Sequence, residues 1–237
     1  MYYNQTQHSG TLVITALNQR LLTAYGHRFL STFPKTLDLA VWSEDELNIP
    51  HLRLSHAFKE RNAHRPQPRS YKQDAVRFSW KPQAVYKTYN TVDRDKYDSI
   101  VWIDADTQFL KQIDQTWIDS HIRTEHIASY MGRPDYYSET GLLYFNLKHK
   151  HTEQYIKDVW EYYVTGDVYN LQEQHDSYVW DYVRIKHEHD YNRKFRNLGV
   201  DYKVPGGHIQ AYLYGEWFDH AKGPRKKSGK SPENKHN

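Results

Sequence analysis

The chain has 237 residues, a length that favours one α/β domain with its own hydrophobic core over two domains. It contains no cysteine, which excludes disulfides and thiolate chemistry, and its net charge of +3 is too small to indicate nucleic-acid binding by itself. No apolar run reaches the length of a signal-peptide core or a membrane span, so we expect no integral membrane association and a cytoplasmic protein, in the host cytoplasm if the chain is viral.

The N-terminal part of the chain has the pattern of a βαβ unit. Residues 11–17 form an apolar run typical of a buried strand, and a helical pattern follows over residues 19–30. Residues 37–42 form a second strand-like run. Two strands joined by a helix of ordinary length predict a parallel pair within an open sheet.

Between residues 50 and 68 the apolar pattern weakens, and histidine, lysine and arginine become frequent. We interpret this stretch as a surface loop or a short helix, with a basic flap that binds an acceptor as the alternative. Helical patterns return at residues 74–78 and again from Pro82, since proline suits a first helical turn.

The central motif of the sequence is a buried-strand signature followed by two carboxylates. Residues 100–103 are a continuous apolar run, which predicts a strand buried on both faces. Asp104 and Asp106 follow at spacing i, i+2, so their side chains can converge just past the strand. Open α/β sheets bind ligands at this edge, and two carboxylates there could hold Mg²⁺ or Mn²⁺ against the phosphates of a nucleotide. A solvated turn in which one aspartate caps the next element is the simpler alternative.

Further elements are predicted downstream of this motif. The patterns predict strands at residues 127–131 and 140–147, and helices at residues 152–164 and about 172–184. Gly166 is the expected stop of the first of these helices. Residues 202–208 are rich in turn formers, and residues 228–237 have the polar composition of a disordered tail.

A second polar site is predicted in residues 220–226. His220 offers a neutral nitrogen, which Mn²⁺ accepts beside oxygen ligands. Gly223 permits a close approach of backbone to a phosphate, and Lys226 supplies the positive charge that a diphosphate requires. An ordinary basic tail is the alternative.

Four motifs follow one another along the chain: Asp104-Ala105-Asp106, Glu139-Thr140-Gly141 running into Phe145-Asn146, His175-Asp176-Ser177, and His220-x-x-Gly223-x-x-Lys226. In order and spacing, over about residues 11–227, they resemble GT-A glycosyltransferases of the glycogenin and lipopolysaccharide galactosyltransferase type. Ser177 stands where glutamine is usual in this family. The resemblance implies a GT-A fold, which is a Rossmann-like mixed sheet flanked by helices, in a single domain of residues 1–227 ahead of the polar tail.

The resemblance also implies a function: a metal-dependent transferase that uses a nucleotide sugar, most often a UDP-sugar, with retention of anomeric configuration. Carried over by motif, Asp104, Asp106 and His220 would hold Mn²⁺ or Mg²⁺. Gly223 and Lys226 would cradle the diphosphate of the donor.

Other positions follow from the same resemblance. Ala16, Leu17 and Asn18 would face the nucleotide, and Lys81 would contact the donor, with Arg77 as the substitute. Asp176 would lie near the transferred sugar, and a carboxylate in the first turn of a helix is the alternative for it. Asp176 and Glu139 are the candidates for stabilising positive charge at the anomeric carbon.

The acceptor is less constrained by the sequence. A saccharide is the default for this kind of enzyme, whereas the basic and aromatic residues interleaved at 61–81 suit a polyanion. Hydroxymethylated bases of DNA, which some bacteriophage enzymes of similar appearance glycosylate, are therefore the alternative acceptor. A further alternative is a non-catalytic nucleic-acid-binding protein. A phosphoryl or nucleotidyl transferase is disfavoured because the chain has no phosphate-binding loop motif.

Overall fold

The computed structural model describes residues 10–200, 213–226 and 231. Its strands are β1 (Thr11–Ala16), β2 (Asp38–Ser43), β3 (Leu52–Arg53), β4 (Ser99–Ile103), β5 (Thr107–Phe109), β6 (Ala128–Arg133), β7 (Tyr136–Asn146), β8 (Arg196–Asn197) and β9 (Phe218–His220). Seven of them form one sheet in the order β3-β2-β1-β4-β7-β6-β8. The pairs from β3 to β4 are parallel, while β7 runs antiparallel to both β4 and β6.

Helices cover both faces of this mixed sheet. They are α1 (Gln19–Leu21), α2 (His27–Thr32), α3 (Ala57–Arg61), α4 (Ala75–Phe78), α5 (Trp80–Thr91), α6 (Gln115–Asp119), α7 (Thr152–Thr165) and α8 (Asp176–Tyr191). One core contains buried side chains of α5, α7 and α8, and the other contains those of α2 and α6. This arrangement confirms the predicted GT-A-type class, a Rossmann-like mixed sheet flanked by helices in a single domain.

The central strand β4 contributes to both cores. Ile100 and Trp102 pack in the first core, and Val101 and Ile103 pack in the second. All four side chains are at most 3% exposed, because alternate residues of a strand point to opposite faces and helices cover each face. The apolar run therefore formed the doubly buried strand that the sequence predicts.

Several predicted boundaries shift in the structure. The helix predicted at residues 19–30 consists of α1, a π-helical segment (Leu22–Gly26) and α2. A β-carbon at Gly26 would lie 3.0 Å from a methyl of Leu17, so glycine permits the close packing of this segment. The basic stretch at 50–68 contains the short strand β3 and the short helix α3 rather than an unbroken loop.

The helix predicted at about residues 172–184, opening near His175-Asp176-Ser177, is α8: the predicted opening is confirmed, whereas the predicted C-terminal end was wrong. The backbone N–H of Gln174 donates to Lys72 O at 2.6 Å, so this part of the chain pairs with another segment and the helix begins at Asp176. The helix continues past Arg184, which forms an i, i+4 ion pair with Glu188. It ends at Asn192 with φ of 49°, a conformation that asparagine tolerates.

Strands β5 and β9 form a separate two-stranded sheet that the sequence patterns did not predict. The pairing places His220 opposite Thr107, one residue beyond Asp106. The segment from residue 213 to residue 226 is thereby fixed beside the end of β4. This small sheet is what joins the two polar motifs of the sequence.

Two predicted segments cannot be compared with this fold. The turn-rich residues 202–208 and, apart from Ser231, the polar tail at 228–237 lie outside the described residues. Among the residues that the structure does describe, no helix has the length and apolar character required to span a membrane.

Candidate active site

The carboxylates of the central motif lie at the C-terminal end of β4. The backbone N–H of Asp104 donates to Gly141 O at 2.9 Å, which extends the pairing with β7 by one residue. The indole Nε1 of Trp102 donates to Asp104 Oδ1 at 2.7 Å and so orients that side chain. Asp104 remains partly exposed, with 28% of its side chain open to solvent, whereas the Asp106 side chain is 3% exposed.

His220 reaches both aspartates from β9. Its Nε2 lies 2.9 Å from Asp106 Oδ1 and 3.7 Å from Asp104 Oδ2. One possible ligand atom from each of the three residues lies within 4.8 Å of those of the other two. The structure thus brings together the three residues that the resemblance assigns to a metal.

The charges of this cluster are mutually stabilised. Burial by itself would raise the pKa of Asp106, but the adjacent His220 and Lys226 outweigh burial and hold the pKa well below its usual range. Burial likewise would lower the pKa of His220, and the attraction of Asp106, Glu139 and Asp104 raises it instead. Asp106 is therefore ionised at neutral pH.

The donor set suits a divalent cation. Two carboxylates and one imidazole are hard or borderline ligands, which is the mixed oxygen and nitrogen set that Mn²⁺ accepts. Asp106 Oδ1 is buried, and its 2.9 Å contact with His220 Nε2 is an ion pair without hydrogen-bond geometry. A buried carboxylate oxygen is costly unless a cation lies near it.

Lys226 approaches the cluster from a 3₁₀ turn (Gly223–Lys226). The Lys226 ammonium contacts Asp106, and Arg28 Nη2 donates to the backbone carbonyl oxygen of Lys226 at 2.6 Å. Its ammonium also lies 5.6 Å from the ring centre of Tyr25. Gly223 has φ of 59°, and a β-carbon there would meet no atom within 4 Å, so open space adjoins this part of the backbone.

Lys81 lies in the first turn of α5 and bridges two carboxylates. Its Nζ is 3.0 Å from Asp104 Oδ1 and 2.5 Å from Asp176 Oδ2, and its side chain is 9% exposed. Burial would lower the pKa of Lys81, but Asp104 and Asp176 more than compensate and raise it. Lys81 thus contacts Asp104 directly. Arg77, which the sequence offers as the substitute for Lys81 in contacting the donor, lines the adjoining cavity.

Asp176 is the first residue of α8, which confirms the alternative of a carboxylate in the first turn of a helix, and it also lines the cavity beside Asp104. Its Oδ1 accepts from the Ser177 N–H at 2.9 Å, and Thr140 Oγ1 donates to its Oδ2 at 3.1 Å. Burial would raise the pKa of Asp176, and the neighbouring Lys81 lowers it.

Glu139, on β7, is buried on the other side of His220. Its carboxylate contacts Lys222 and lies 3.5 Å from Arg133 Nη1, and its Oε1 accepts from the Gly141 N–H at 3.2 Å. Burial would raise the pKa of Glu139, but Lys222, His220 and Arg133 together lower it to about 2. Glu139 is thus a permanent negative charge within this site.

A cavity of about 590 Å³ opens above Asp104 and Asp106. Ala16, Leu17 and Asn18 form part of its lining, as the resemblance implies for residues that face a nucleotide. The side chain of Asn18 is already engaged: it accepts from the Leu21 N–H at 2.9 Å and donates to Glu44 Oε1 at 3.0 Å. The lining of the cavity is therefore polar in two groups: Asp104, Asp106, Lys81 and Lys226 form one, and Asn18 with Glu44 forms the other.

Sequence reasoning missed Lys222 and Trp102 as members of the site. Each stands two positions from a residue that was identified: Lys222 follows His220 by two residues, and Trp102 precedes Asp104 by two. In extended backbone such pairs share a face, and this was the available signal. Tyr25 and Arg28 carried no comparable signal, since they reach the site through folding of the α1–α2 region.

No family model and no curated protein matches this chain. Solved structures do match. A glycosyltransferase involved in the glycosylation of the major capsid of PBCV-1 is 12% identical, covers 92% of this chain and 98% of its own, and has a TM-score of 0.47. Mouse xyloside xylosyltransferase 1 is 12% identical over 86% and 93% of the two chains, with a TM-score of 0.48. The galactosyltransferase LgtC, in complex with donor and acceptor sugar analogues, is 13% identical over 71% and 69%, with a TM-score of 0.45. At these identities and TM-scores, the residues of the site itself have to support any function.

Proposed function

We propose that the chain is a metal-dependent glycosyltransferase that moves a sugar from a nucleoside-diphosphate sugar, in the first place a UDP-sugar, to an acceptor hydroxyl. The observation that carries this proposal is the convergence of Asp104, Asp106 and His220 beside Lys226, at the edge where an open α/β sheet binds ligands. The cavity of about 590 Å³ at this edge falls within the size range of small-molecule sites. A saccharide acceptor and retention of configuration are part of the proposal, and they rest on the resemblance of the motifs.

The reaction breaks the bond between the anomeric carbon and a diphosphate oxygen, and the leaving diphosphate takes the electron pair. A divalent cation held by Asp104, Asp106 and His220 would supply Lewis-acid charge to that leaving group. Lys226, whose ammonium is beside the same aspartate, would add a charge-assisted contact to the diphosphate. Such contacts accelerate the reaction because they strengthen as negative charge develops on the departing oxygen.

The acidic side chains act on the sugar in this proposal. Asp176 and Glu139 both have lowered pKa values, so each is ionised at neutral pH. Both line the groove that adjoins the cation cluster. A fixed negative charge beside the anomeric carbon stabilises the positive charge that develops there. A bond forms from the acceptor oxygen to that carbon, and the proton of the acceptor hydroxyl passes to the departing diphosphate oxygen.

The first test is donor turnover by the purified protein with Mn²⁺ and a panel of nucleotide sugars, following release of the nucleoside diphosphate. We expect slow hydrolysis of at least one UDP-sugar, loss of that activity in EDTA, and a reduction of about 10²-fold or more in Asp106→Ala. Asp119→Ala removes an exposed acid of α6 and serves as the matched control. Inert donors, together with absence of Mn²⁺ and UDP binding, would rule out the proposal.

Glycosylation of hydroxymethylated DNA is the alternative acceptor chemistry. Arg61, Arg69 and Arg77 are exposed on the segment that leads into α5, which is the observation in its favour. The same donor assay separates the two acceptors once a donor is known, by addition of glycans and of hydroxymethylated DNA in parallel reactions. A non-catalytic nucleic-acid-binding protein would bind DNA and turn over no donor.

A further inference from the structure

A second cavity, which we call the aromatic groove, continues from the candidate active site. It has a volume of about 1420 Å³ and shares Asp104, Asp176 and Lys226 with the donor cavity. From this junction it runs between the β6–β7 hairpin and the first turns of α8. A molecule in the groove would therefore meet the donor sugar beside Asp176.

Tyrosine rings form much of the wall of the aromatic groove. Tyr137 lies 5.3 Å from His175 and 5.1 Å from Tyr178 between ring centres, and both contacts are edge-to-face. Tyr71 approaches the same histidine at 5.8 Å. Tyr71 is 58% exposed and Tyr136 is 62% exposed, so more than half of each side chain at the rim is open to solvent. Tyrosine offers an apolar face together with a polar edge, which suits the C–H faces and hydroxyls of a sugar.

Several charged side chains of the groove form ion pairs with one another. Lys72 Nζ lies 2.7 Å from Glu173 Oε1, and His175 Nε2 lies 2.8 Å from Glu173 Oε2. On the opposite side, Arg184 Nη2 lies 3.1 Å from Asp181 Oδ1. These pairs fix the side chains in one orientation while their remaining lone pairs and N–H groups can bond to hydroxyls.

The charges of the groove also balance. Among the residues that the structure describes, six lysine and arginine side chains line it, and so do six aspartate and glutamate side chains. A DNA-binding surface needs an excess of positive charge, because neutralising phosphates supplies most of its affinity. A groove with balanced, paired charges gains nothing from a polyanion and imposes no electrostatic penalty on an uncharged ligand.

Resting on the proposed function, we propose that the aromatic groove is the acceptor subsite and that its occupant is an uncharged saccharide. Tyr71, Tyr137 and Tyr178 are its stacking surfaces, and the Lys72–Glu173 pair is its polar contact for sugar hydroxyls. The acceptor hydroxyl lies at the junction with the donor cavity, next to Asp176. These residues are specificity determinants for the acceptor.

The test measures transfer kinetics with the donor identified above. The acceptor probes are uncharged di- and trisaccharides, with a DNA duplex containing 5-hydroxymethylcytosine in parallel. We expect a saccharide to accept the sugar, detected by mass spectrometry of the product. Tyr71→Ala should raise the KM for that acceptor about tenfold, and this increase should exceed any change in the KM for the donor.

Two further variants control the interpretation. Tyr137→Phe removes only the hydroxyl that donates to Glu173 Oε1 at 3.3 Å, so it keeps the packing of the ring and should raise the acceptor KM to a smaller extent. Tyr191→Ala removes a tyrosine that is equally exposed, at 58%, but lies at the far end of α8, and it should leave both KM values unchanged.

The outcomes separate this inference from the proposed function. Wild-type protein that turns over no donor would overturn the proposed function, and the acceptor subsite with it. Donor turnover in which Tyr71→Ala and Tyr137→Phe behave as Tyr191→Ala would overturn the acceptor subsite alone. Transfer to the DNA duplex in preference to every saccharide would overturn the uncharged saccharide as the occupant.

Discussion

Lys81 is a buried cation that holds two acidic side chains of the site in place. Its Nζ lies within 3.0 Å of oxygens of both Asp104 and Asp176, and Thr140 O accepts from it at 2.8 Å. Asp104 follows β4 and Asp176 begins α8, so a single ammonium connects the two elements that carry the candidate site. Removing it leaves acidic groups near one another without the charge that compensates their burial.

We predict that Lys81→Met lowers the free energy of unfolding by about 3 kcal/mol, since breaking a buried ion pair leaves an uncompensated charge. Without Lys81, Asp176 avoids an uncompensated buried charge only by binding a proton. Its pKa in the folded variant would therefore rise above its pKa in the unfolded chain. Stability of the variant is then lost as pH rises, and the difference from wild type should be smaller at pH 5 than at pH 8. Urea denaturation at the two pH values measures this.

Lys87→Met is the matched control, because Lys87 lies on the same helix and its ammonium donates to a backbone carbonyl, Arg53 O at 3.1 Å. It should cost less than 1 kcal/mol, in keeping with a surface substitution (about ±0.5 kcal/mol) plus one lost hydrogen bond. Equal destabilisation by the two substitutions, or no pH dependence of the difference, would contradict the role assigned to Lys81.

At the scale of single residues, the sequence was informative where function depends on local spacing. Asp104 and Asp106 could be identified because both follow directly on a strand signature, and the structure places both at the strand end. The bridging role of Lys81 could not be predicted in the same way. It depends on Asp176, which is 95 positions later in the chain, and no short pattern encodes such a distance.

The helices show the same contrast at the scale of elements. The end of α7 was predicted correctly because Gly166 adopts a φ of 87°, which the sequence signals through glycine alone. The end of α8 was misplaced at Arg184 because the helix continues through the i, i+4 ion pair between Arg184 and Glu188, which the sequence pattern did not indicate. The β5–β9 pairing escaped prediction because its strands have three residues each and lie far apart in sequence.

We predict that Gly166→Ala lowers the free energy of unfolding by about 1 kcal/mol through backbone strain. The added β-carbon would meet no atom within 4 Å, so a steric clash makes no contribution and the positive φ alone accounts for the loss. The midpoint of urea denaturation should fall while the m-value stays constant.

Gly10→Ala is the control for this prediction, because Gly10 lacks a positive φ and an added β-carbon there makes ordinary contacts of 3.6 Å or more. It should be neutral or slightly stabilising, since alanine reduces the freedom of the unfolded chain. A Gly166→Ala variant as stable as Gly10→Ala would show that the φ at residue 166 relaxes without cost.

At the scale of the whole molecule, the candidate site depends on the complete fold. Its parts come from the end of β1, the start of α5, the end of β4, β7, the start of α8 and the segment after β9. An unfolded chain cannot present Asp104, Asp106, His220 and Lys226 together. Any ligand that requires all four therefore binds the folded state and stabilises it by a free energy that rises with the logarithm of its concentration divided by its Kd.

We accordingly predict that Mn²⁺ and UDP together raise the melting temperature by about 5–10 °C. A ligand at a hundredfold excess over its Kd adds about 2.7 kcal/mol, and each kcal/mol shifts Tm by about 2–4 °C in a chain of this size. The 15 histidines of the chain offer Mn²⁺ binding sites in the unfolded state as well. The informative quantity is therefore the Tm with both ligands minus the Tm with Mn²⁺ alone, measured by calorimetry.

Asp106→Ala should abolish this UDP-dependent shift relative to its own ligand-free Tm, because it removes a ligand of the cluster and the anchor of Lys226. Asp119→Ala should retain it. A shift that persists in Asp106→Ala, or one that UDP produces equally well in EDTA, would mean that the nucleotide binds without the cation. The three converging ligands would then belong to a structural ion-pair cluster, and the leaving diphosphate would depend on lysines alone.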